Sequence, residues 1–210
     1  MPDKLDAATL ARRLAGTAAP ADPRLVELPE STLGWPRDLV EELEADLKPA
    51  AVLIPVFERD EGLTVLLTER SAELKHHAGQ IAFPGGRMEP DDDDIGVTAL
   101  RETHEEVGIA PAHVSIAGYL EPMPTVTGFA VTPVVGLVAA SASLQIDRTE
   151  VSATFEVPLD FLLDEANQRR GVRHYRGREL PLIEFHYSGY RIWGATAHML
   201  IRFRKIILEQ

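Results

Sequence analysis

The run Ala50–Phe57 is apolar at every position, and no other feature of the sequence constrains the fold as strongly. A strand with one face in water alternates apolar and polar residues, whereas a strand covered on both faces can be apolar throughout. The run is far shorter than the roughly 20 residues that a membrane-spanning helix requires. The sequence therefore predicts a buried strand inside a sheet.

Predicted strands and helices interleave along the rest of the chain without a regular βαβ repeat. Further strands are predicted at Leu63–Thr68, Val114–Leu120, Val131–Val138, Thr154–Val157, Leu182–Tyr187 and Tyr190–Trp193. Helices are predicted at Ala7–Leu14, Arg37–Leu47, Ile95–Val107, Pro158–Glu165 and Ala195–Leu208. Residues 69–94 have no clear period and are predicted to form a long loop, which in a compact domain is usually functional or disordered. This order indicates an α+β fold, an α/β/α sandwich with a mixed sheet between helices.

The length of 210 residues allows one domain with an arm, but not two full-sized domains. Residues 1–49 hold four prolines between two predicted helices and are interpreted as an N-terminal arm. Residues 50–210 are interpreted as the folded domain. The first ten residues lack the apolar segment of a signal peptide, so we expect a cytoplasmic protein.

The charge and the cysteine count exclude several classes of function. The 21 basic and 33 acidic residues give a net charge of −12, which argues against bulk nucleic acid or a membrane surface as a partner, since both are polyanions. The chain has no cysteine, which excludes a disulfide scaffold, a cysteine nucleophile and a thiolate zinc site. Acidity on this scale is instead compatible with a cation site.

Three glutamates of the predicted helix Ile95–Val107 lie on one helical face. Glu102, Glu105 and Glu106 are spaced i, i+3, i+4, and their repulsion weakens a helix by a few tenths of a kcal/mol per pair. Arg101 can reach Glu105 at i+4, but one arginine cannot neutralise three carboxylates, whereas a divalent cation can. Oxygen ligands favour Mg²⁺ or Mn²⁺ over zinc. A solvated acidic surface is the alternative.

The opposite side of the same helix is predicted to face the core. Val97, Leu100 and Val107 lie on that side. His104 is also on the apolar side and is predicted to be packed there rather than to act as a ligand. Trp193 is predicted to belong to the core.

The residues from Gly86 to Ile109 resemble the signature of the Nudix hydrolases. That signature is a glycine, five residues, a glutamate, seven residues, and then Arg-Glu-apolar-x-Glu-Glu-x-Gly-apolar. Its second half is matched by Arg101, Glu102, Glu105, Glu106, Gly108 and Ile109. The spacing from Gly86 to Arg101 is one residue longer than the pattern, Asp93 is assigned to the position of the first glutamate, and Thr103 stands where an apolar residue is usual.

The stretch Leu66–Gly86 is similar to an extra motif of the coenzyme A pyrophosphatase branch of that superfamily. The motif is LLTxR, then Ser or Ala, three residues, Arg, three residues, Gly, three residues and FPGG. The second basic position holds Lys75, which keeps the charge of arginine but loses its bidentate fork. With Thr132-Pro133, Val157–Leu159 and Ile192–Ala197, the resemblance extends over about Ala50–Leu200.

The resemblance implies a Nudix-like fold and metal-dependent hydrolysis of a diphosphate that joins a nucleoside to another group. For coenzyme A the products are 4′-phosphopantetheine and 3′,5′-ADP. Glu102 and Glu106 are implied as ligands of Mg²⁺ or Mn²⁺, with Glu105 and the Gly86 carbonyl completing the shell.

The resemblance also implies roles for residues around the metal site. Arg101 orients the glutamates, and the general base is either a helix glutamate, Glu105, or a loop glutamate, Glu150. Implied substrate contacts are Arg70, Lys75 and Gly85, the two basic residues binding nucleotide phosphates.

Other functions remain open at this point. A Nudix hydrolase of ADP-ribose or of a nucleoside triphosphate is one alternative, and a catalytically silent Nudix domain that binds a ligand is another. The basic cluster of Arg169, Arg170, Arg173, Arg176 and Arg178 could suggest RNA, but a solvated hairpin is favoured in an acidic protein. A homodimer is compatible with the sequence.

Overall fold

A mixed eight-stranded sheet forms the centre of the protein in a computed structural model, which describes residues 5–28, 38, 41, 44–74, 77–175 and 177–208. Its strands are β1 (Lys48–Arg59), β2 (Gly62–Arg70), β3 (Ile81–Ala82), β4 (Gly85–Arg87), β5 (Val114–Tyr119), β6 (Met123–Pro124), β7 (Phe129–Val138) and β8 (Val151–Pro158). The main order is β3-β2-β1-β7-β5, while β4 pairs with β1, β6 with β7 and β8 with β2. The β1–β7 pair is parallel and the other pairs are antiparallel.

The buried strand predicted at Ala50–Phe57 is confirmed as the centre of β1. Leu53 packs under a helix on one face of the sheet, and Ile54 packs into the main core on the other face. Because both faces are covered, alternation with polar residues would bury unpaired polar groups.

A second sheet and four helices complete the molecule as described. The strands β9 (Arg169–Tyr175), β10 (Arg178–Tyr187) and β11 (Tyr190–Trp193) form an antiparallel three-stranded sheet. The helices are α1 (Ala7–Leu14), α2 (Ile95–Val107), α3 (Leu159–Leu163) and α4 (Ala195–Leu208), and two short 3₁₀ helices lie at Pro111–His113 and Glu165–Asn167. None of the helices in the described ranges is long and apolar enough to cross a membrane.

The helices cover the two faces of the main sheet, which confirms the predicted α/β/α sandwich. On one face, Ile95 and Ala99 of α2 pack against Leu53. On the other face, Leu14 of α1 and Phe203 of α4 belong to the main core cluster. The division into an arm of residues 1–49 and a domain of residues 50–210 stays a prediction.

The segment predicted as a long loop is partly strand. β3 pairs with β2, and β4 pairs with Ala50–Val52 of β1, so the prediction of a loop over 69–94 is wrong at these two places. The reason is that Gly85 and Gly86 carry no side-chain pattern from which a strand could be predicted. Most of the predicted helix Arg37–Leu47 lies outside the described residues, and so does Lys75.

The helix α2 has the predicted bounds and only part of the predicted inner face, since Val107 is buried as predicted. Val97 is 38% exposed and His104 is exposed, so both core predictions are wrong. The buried side instead includes Ala99, Thr103 and Glu106. The hydrophobic pattern could not predict the whole buried side, because Glu106, one of its residues, is an acid.

Candidate active site

Caps at both ends hold α2 in register. The Asp94 side chain accepts a hydrogen bond from the Val97 N–H at 2.9 Å, which satisfies one free donor of the first turn. At the other end Gly108 has φ +76°, and its N–H donates to the His104 carbonyl. A left-handed residue at this position favours glycine because it has no Cβ.

The three glutamates of α2 differ sharply in exposure. The Glu106 side chain is 4% exposed, that of Glu102 is 16% exposed, and that of Glu105 is 58% exposed. The single acidic stripe expected from the sequence is therefore divided. Glu106 and Glu102 lie against Gly85 and Gly86 of β4, and Glu105 is exposed to solvent.

Glu106 is a buried carboxylate with two partners. The Gly85 N–H donates to its Oε2 at 3.2 Å, and Arg70 Nη1 lies 3.6 Å from its Oε1. Burial raises the pKa of Glu106 to about 7, although Arg70 and the Gly85 N–H act in the opposite direction. The neighbouring charges of Glu150 and Glu102 raise it further.

The glycines of β4 bring backbone against both carboxylates. Gly85 has φ +155°, and a Cβ there would lie 2.3 Å from the Ala51 carbonyl oxygen. A Cβ on Gly86 would lie 2.5 Å from a carboxylate oxygen of Glu102. Only glycine allows this approach, so this pair explains how the backbone and the two glutamates come together.

Arg101 is held from two directions by carboxylates. Its Nε and Nη2 donate to the two oxygens of Asp92 at 2.9 and 3.0 Å, and its Nη1 donates to Glu102 at 3.0 Å and to Glu105 at 3.2 Å. Its Nη2 also donates to the Arg87 carbonyl at 3.0 Å. The fork geometry of a guanidinium suits such bidentate contacts.

Asp92, and not Asp93, is the acid that supports this arginine, so the assignment made from spacing is wrong. Asp92 is buried, and besides Arg101 it accepts from the Thr98 hydroxyl and the Glu89 N–H, each at 2.9 Å. The hydrogen bonds from Arg101 lower the pKa of Asp92 to about 2. Asp93 is exposed. The spacing did contain the signal, because five residues separate Gly86 from Asp92 as in the signature, and the extra residue follows the acid.

Glu150 and Arg70 come from a different part of the sheet. Glu150 immediately precedes β8, and its carbonyl accepts from the Ser71 N–H at 2.7 Å. Its side chain is exposed, yet its charge contributes to raising the pKa of both Glu102 and Glu106. The structure thus places Arg70 in contact with Glu106, and the backbone of Glu150 beside Ser71, the residue that follows Arg70.

The donor set around Gly86 fits a hard divalent cation. Within the described ranges, no group of three His, Asp or Glu side chains is arranged to hold a metal. The fit rests instead on two carboxylates, Glu102 and Glu106, and the backbone of Gly86 beside them. All these donors are oxygens, and two neighbouring acids with raised pKa values gain from a bound positive charge.

A cavity of about 280 Å³ opens beside Gly85 and Arg70. Its walls come from β3 and β6 of the main sheet, β9 and β10 of the small sheet, and the start of α4. Trp193, predicted to be a core residue, is partly exposed and lines this cavity, so that prediction is wrong. Sequence reasoning missed the cavity because the small sheet lies far along the chain from the glutamates.

Comparisons with known proteins point to one family. A family model described as NUDIX domain matches residues 47–175. Nudix hydrolase 15, mitochondrial, of Arabidopsis thaliana is 39% identical over 170 residues, which cover 78% of this chain and 60% of the plant protein. The Nudix hydrolase NudL of Cronobacter sakazakii, named as uncharacterised, is 43% identical over 154 residues, which cover 73% of this chain and 79% of that protein.

This chain spans less than two thirds of the plant relative. A solved structure described as a C. elegans Ap4A hydrolase binary complex matches with a TM-score of 0.46 and 20% identity, over 53% of this chain and 80% of that chain.

Proposed function

Because this chain belongs to the Nudix family, we propose that it is a metal-dependent hydrolase of coenzyme A or its derivatives. The reaction cleaves the diphosphate bond and releases 4′-phosphopantetheine and 3′,5′-ADP. The observation that carries the proposal is the approach of Glu102 and Glu106 to the backbone of Gly85 and Gly86. An acidic surface without a function would not need two carboxylates packed against a glycine pair.

The choice of coenzyme A rests on the similarity of Leu66–Gly86 to the motif of the coenzyme A pyrophosphatase branch. Arg70 and Gly85 lie near the two ends of this stretch, and both contact Glu106. The motif is therefore built into the same site as the glutamates, which supports a role in recognising the substrate. Lys75, the third residue proposed to contact substrate, lies outside the described residues.

Each residue around the cation has a proposed task. Glu102, Glu106 and the Gly86 carbonyl hold Mg²⁺ or Mn²⁺, with Glu105 able to join them. When bound there, the cation supplies neutralisation of the charge on the diphosphate oxygens. Arg101 is a positioning residue, because its guanidinium fixes Glu102 through the contact at 3.0 Å.

Glu150 is the proposed general base. Its carbonyl accepts from the N–H of Ser71, the residue after Arg70, and its charge raises the pKa of Glu102 and Glu106. Both observations support a position near the proposed metal site. Glu105, the other candidate, is engaged by Arg101 at 3.2 Å and points to solvent. The cytoplasmic location and the homodimer stay predictions.

A substrate panel tests the proposed function. With Mg²⁺ or Mn²⁺, the purified protein should hydrolyse coenzyme A faster than ADP-ribose or nucleoside triphosphates, as measured by chromatography of the products. Glu106→Gln should remove most of the rate, whereas Glu61→Gln, in the exposed β1–β2 turn, should not change it. Absence of coenzyme A turnover with either metal, or full activity of Glu106→Gln, would contradict the proposal.

A further inference from the structure

The cavity beside Gly85 has an unusual charge for this protein. The chain carries 33 acidic residues, yet no Asp or Glu is among the described residues that line the cavity. Two arginines do line it: Arg70 at the end of β2, and Arg173 on β9. A cavity with cations and no carboxylates in an acidic protein is suited to an anionic ligand.

Of the two arginines that line the cavity, Arg70 contacts Glu106 and Arg173 does not contact any of the glutamates of the proposed metal site. The Arg173 guanidinium carbon lies 5.0 Å from the centre of the Trp193 ring and 5.4 Å from that of Tyr175. Within the described residues, no carboxylate lies within ion-pair distance of Arg173. The two aromatic rings hold the guanidinium through cation–π contacts, which leave its N–H donors available.

Arg191 also lies over the Trp193 ring and serves as a comparison for Arg173. It lies 5.3 Å from the Trp193 ring, but Glu184 neutralises it through contacts of 2.6 Å to Nε and 2.5 Å to Nη2. Arg191 is exposed and does not line the cavity. The two arginines therefore share an aromatic neighbour and differ in whether their charge is already paired.

We propose that Arg173 is a specificity-determining residue that binds an anionic group of the substrate other than the diphosphate. This inference rests on the proposed function. The pantetheine arm of coenzyme A is neutral, so the 3′-phosphate of its nucleotide is the only other anion in the molecule. Arg70 and the Gly85 N–H lie at the glutamate end of the cavity, where the diphosphate is cleaved. Arg173 lies on a different sheet, so one substrate can contact both ends, and a guanidinium is well suited to a phosphate.

Two substrates that differ only in the 3′-phosphate test the proposal. Wild-type protein should show a kcat/KM for coenzyme A that exceeds that for 3′-dephospho-coenzyme A by roughly 10- to 100-fold, the size expected of a charge-assisted contact. Arg173→Gln should lose this preference through a higher KM for coenzyme A, with little change for the dephospho form. Arg173→Lys should recover part of it, and Arg191→Gln should keep all of it.

Binding measurements separate this proposal from the proposed function. Calorimetric titration with 3′,5′-ADP and with 5′-AMP reads the same contact without turnover, so it remains informative if coenzyme A is not hydrolysed. Wild-type protein should bind 3′,5′-ADP more tightly, and Arg173→Gln should bind both nucleotides equally. The proposal would be overturned if wild-type protein bound the two nucleotides with equal affinity. It would also be overturned if Arg173→Gln lowered the affinity for both nucleotides by the same factor, or for neither.

Discussion

Arg101 links the loop before α2 to the glutamates on α2. Its contacts to Asp92 span the loop, and those to Glu102 and Glu105 span the helix. Removing one partner of such a network leaves a charge without its counter-charge, which costs more than the pair contributed. Asp92 is the residue to change, since it contacts Arg101 but belongs to neither the proposed metal site nor the substrate site.

Asp92→Asn should lower both stability and activity. The pKa of Asp92 is about 2, below its ordinary value of 3.8, so the ionised group stabilises the fold above about pH 4 and this contribution is lost as pH falls towards 2. Just under two pKa units correspond to about 2 kcal/mol of unfolding free energy at pH 7. Urea denaturation at about pH 7 and pH 3 should show a difference from wild type that is smaller by about 1 kcal/mol at the lower pH. The control is the exposed Asp93→Asn, and equal effects of the two variants would contradict the assignment of Asp92.

Glu106→Gln should stabilise the metal-free protein while it removes activity. The pKa of Glu106 is raised to about 7, so the folded state loses stability as pH rises from about 4.5 to 7, and the ionised group is unfavourable above that range. A neutral amide of the same shape removes this cost. We expect the unfolding free energy in a chelator at about pH 8 to rise by about 1–3 kcal/mol, and to differ little from wild type at about pH 5.

The effect of added metal on the melting temperature tests the same account of Glu106. Mg²⁺ or Mn²⁺ should raise the melting temperature of wild-type protein, because a ligand that binds only the folded state stabilises it, and should have less effect on Glu106→Gln. Glu105→Gln is the control in the chelator, since Glu105 is 58% exposed. A less stable Glu106→Gln protein at pH 8 would contradict this account.

The residues of the candidate site were largely predictable, but their support was not. Arg101, Glu102 and Glu106 follow from their spacing on one helix, and the structure brings them together. Asp92 was missed because the run of four aspartates offers several acids, and the spacing was counted back from Arg101 and not forward from Gly86. Glu106 looks like a surface residue in the sequence, since its burial depends on the glycine pair of β4.

At the scale of elements, β4 and α2 act as one unit. The register of β4 places Gly86 opposite Ala51, and the helix caps fix α2 above it. The bounds of α2 were predictable because its ends carry local signals, Asp94 and Gly108. The pairing of β4 with β1 was not predictable, since it depends on backbone contacts and not on side-chain pattern.

Gly86→Ala should separate folding from activity. The added Cβ would lie 2.5 Å from the end of the Glu102 side chain, which can move, so we expect a change of less than about 1 kcal/mol in unfolding free energy. The displaced carboxylate should lower kcat/KM by about 10- to 100-fold and weaken metal binding. Kinetics and calorimetry with Mn²⁺ measure both. Gly171→Ala, on the exposed β9 with open space around it, is the control, and unchanged metal binding in Gly86→Ala would contradict the placement of the site.

At the scale of the whole molecule, the sequence predicted the layers of the fold but not how its distant parts meet. Apolar strands such as Ala50–Phe57 and amphipathic helices indicate a covered sheet from local pattern alone. The cavity depends on β9–β10 and the start of α4 coming beside Gly85, about a hundred residues away in sequence. Such placement is determined by tertiary packing, so Arg173 could be recognised only as one member of a basic cluster.

The N-terminal segment also contacts parts of the chain that are distant in sequence. Leu10 and Leu14 of α1 are fully buried in the main core cluster. Further along, the Glu27 carbonyl accepts from Arg202 of α4 at 2.9 Å. Part of the segment interpreted as an arm therefore packs as an integral layer against the sheet.

Leu10→Ala tests whether α1 stabilises the domain. If the core is shared, the variant should lose about 2–4 kcal/mol of unfolding free energy in one cooperative transition, because the substitution leaves a cavity in packed core. Leu25→Ala, at a position that is 72% exposed, should change stability by less than about 0.5 kcal/mol. Urea denaturation in a Trp35→Phe background, followed by tryptophan fluorescence, reads the domain, since the remaining tryptophan, Trp193, lies in β11. If Leu10→Ala leaves this transition unchanged, α1 contributes nothing to the domain and the boundary at residue 49 is physical. If the whole transition shifts, α1 belongs to the same cooperative unit as the glutamates.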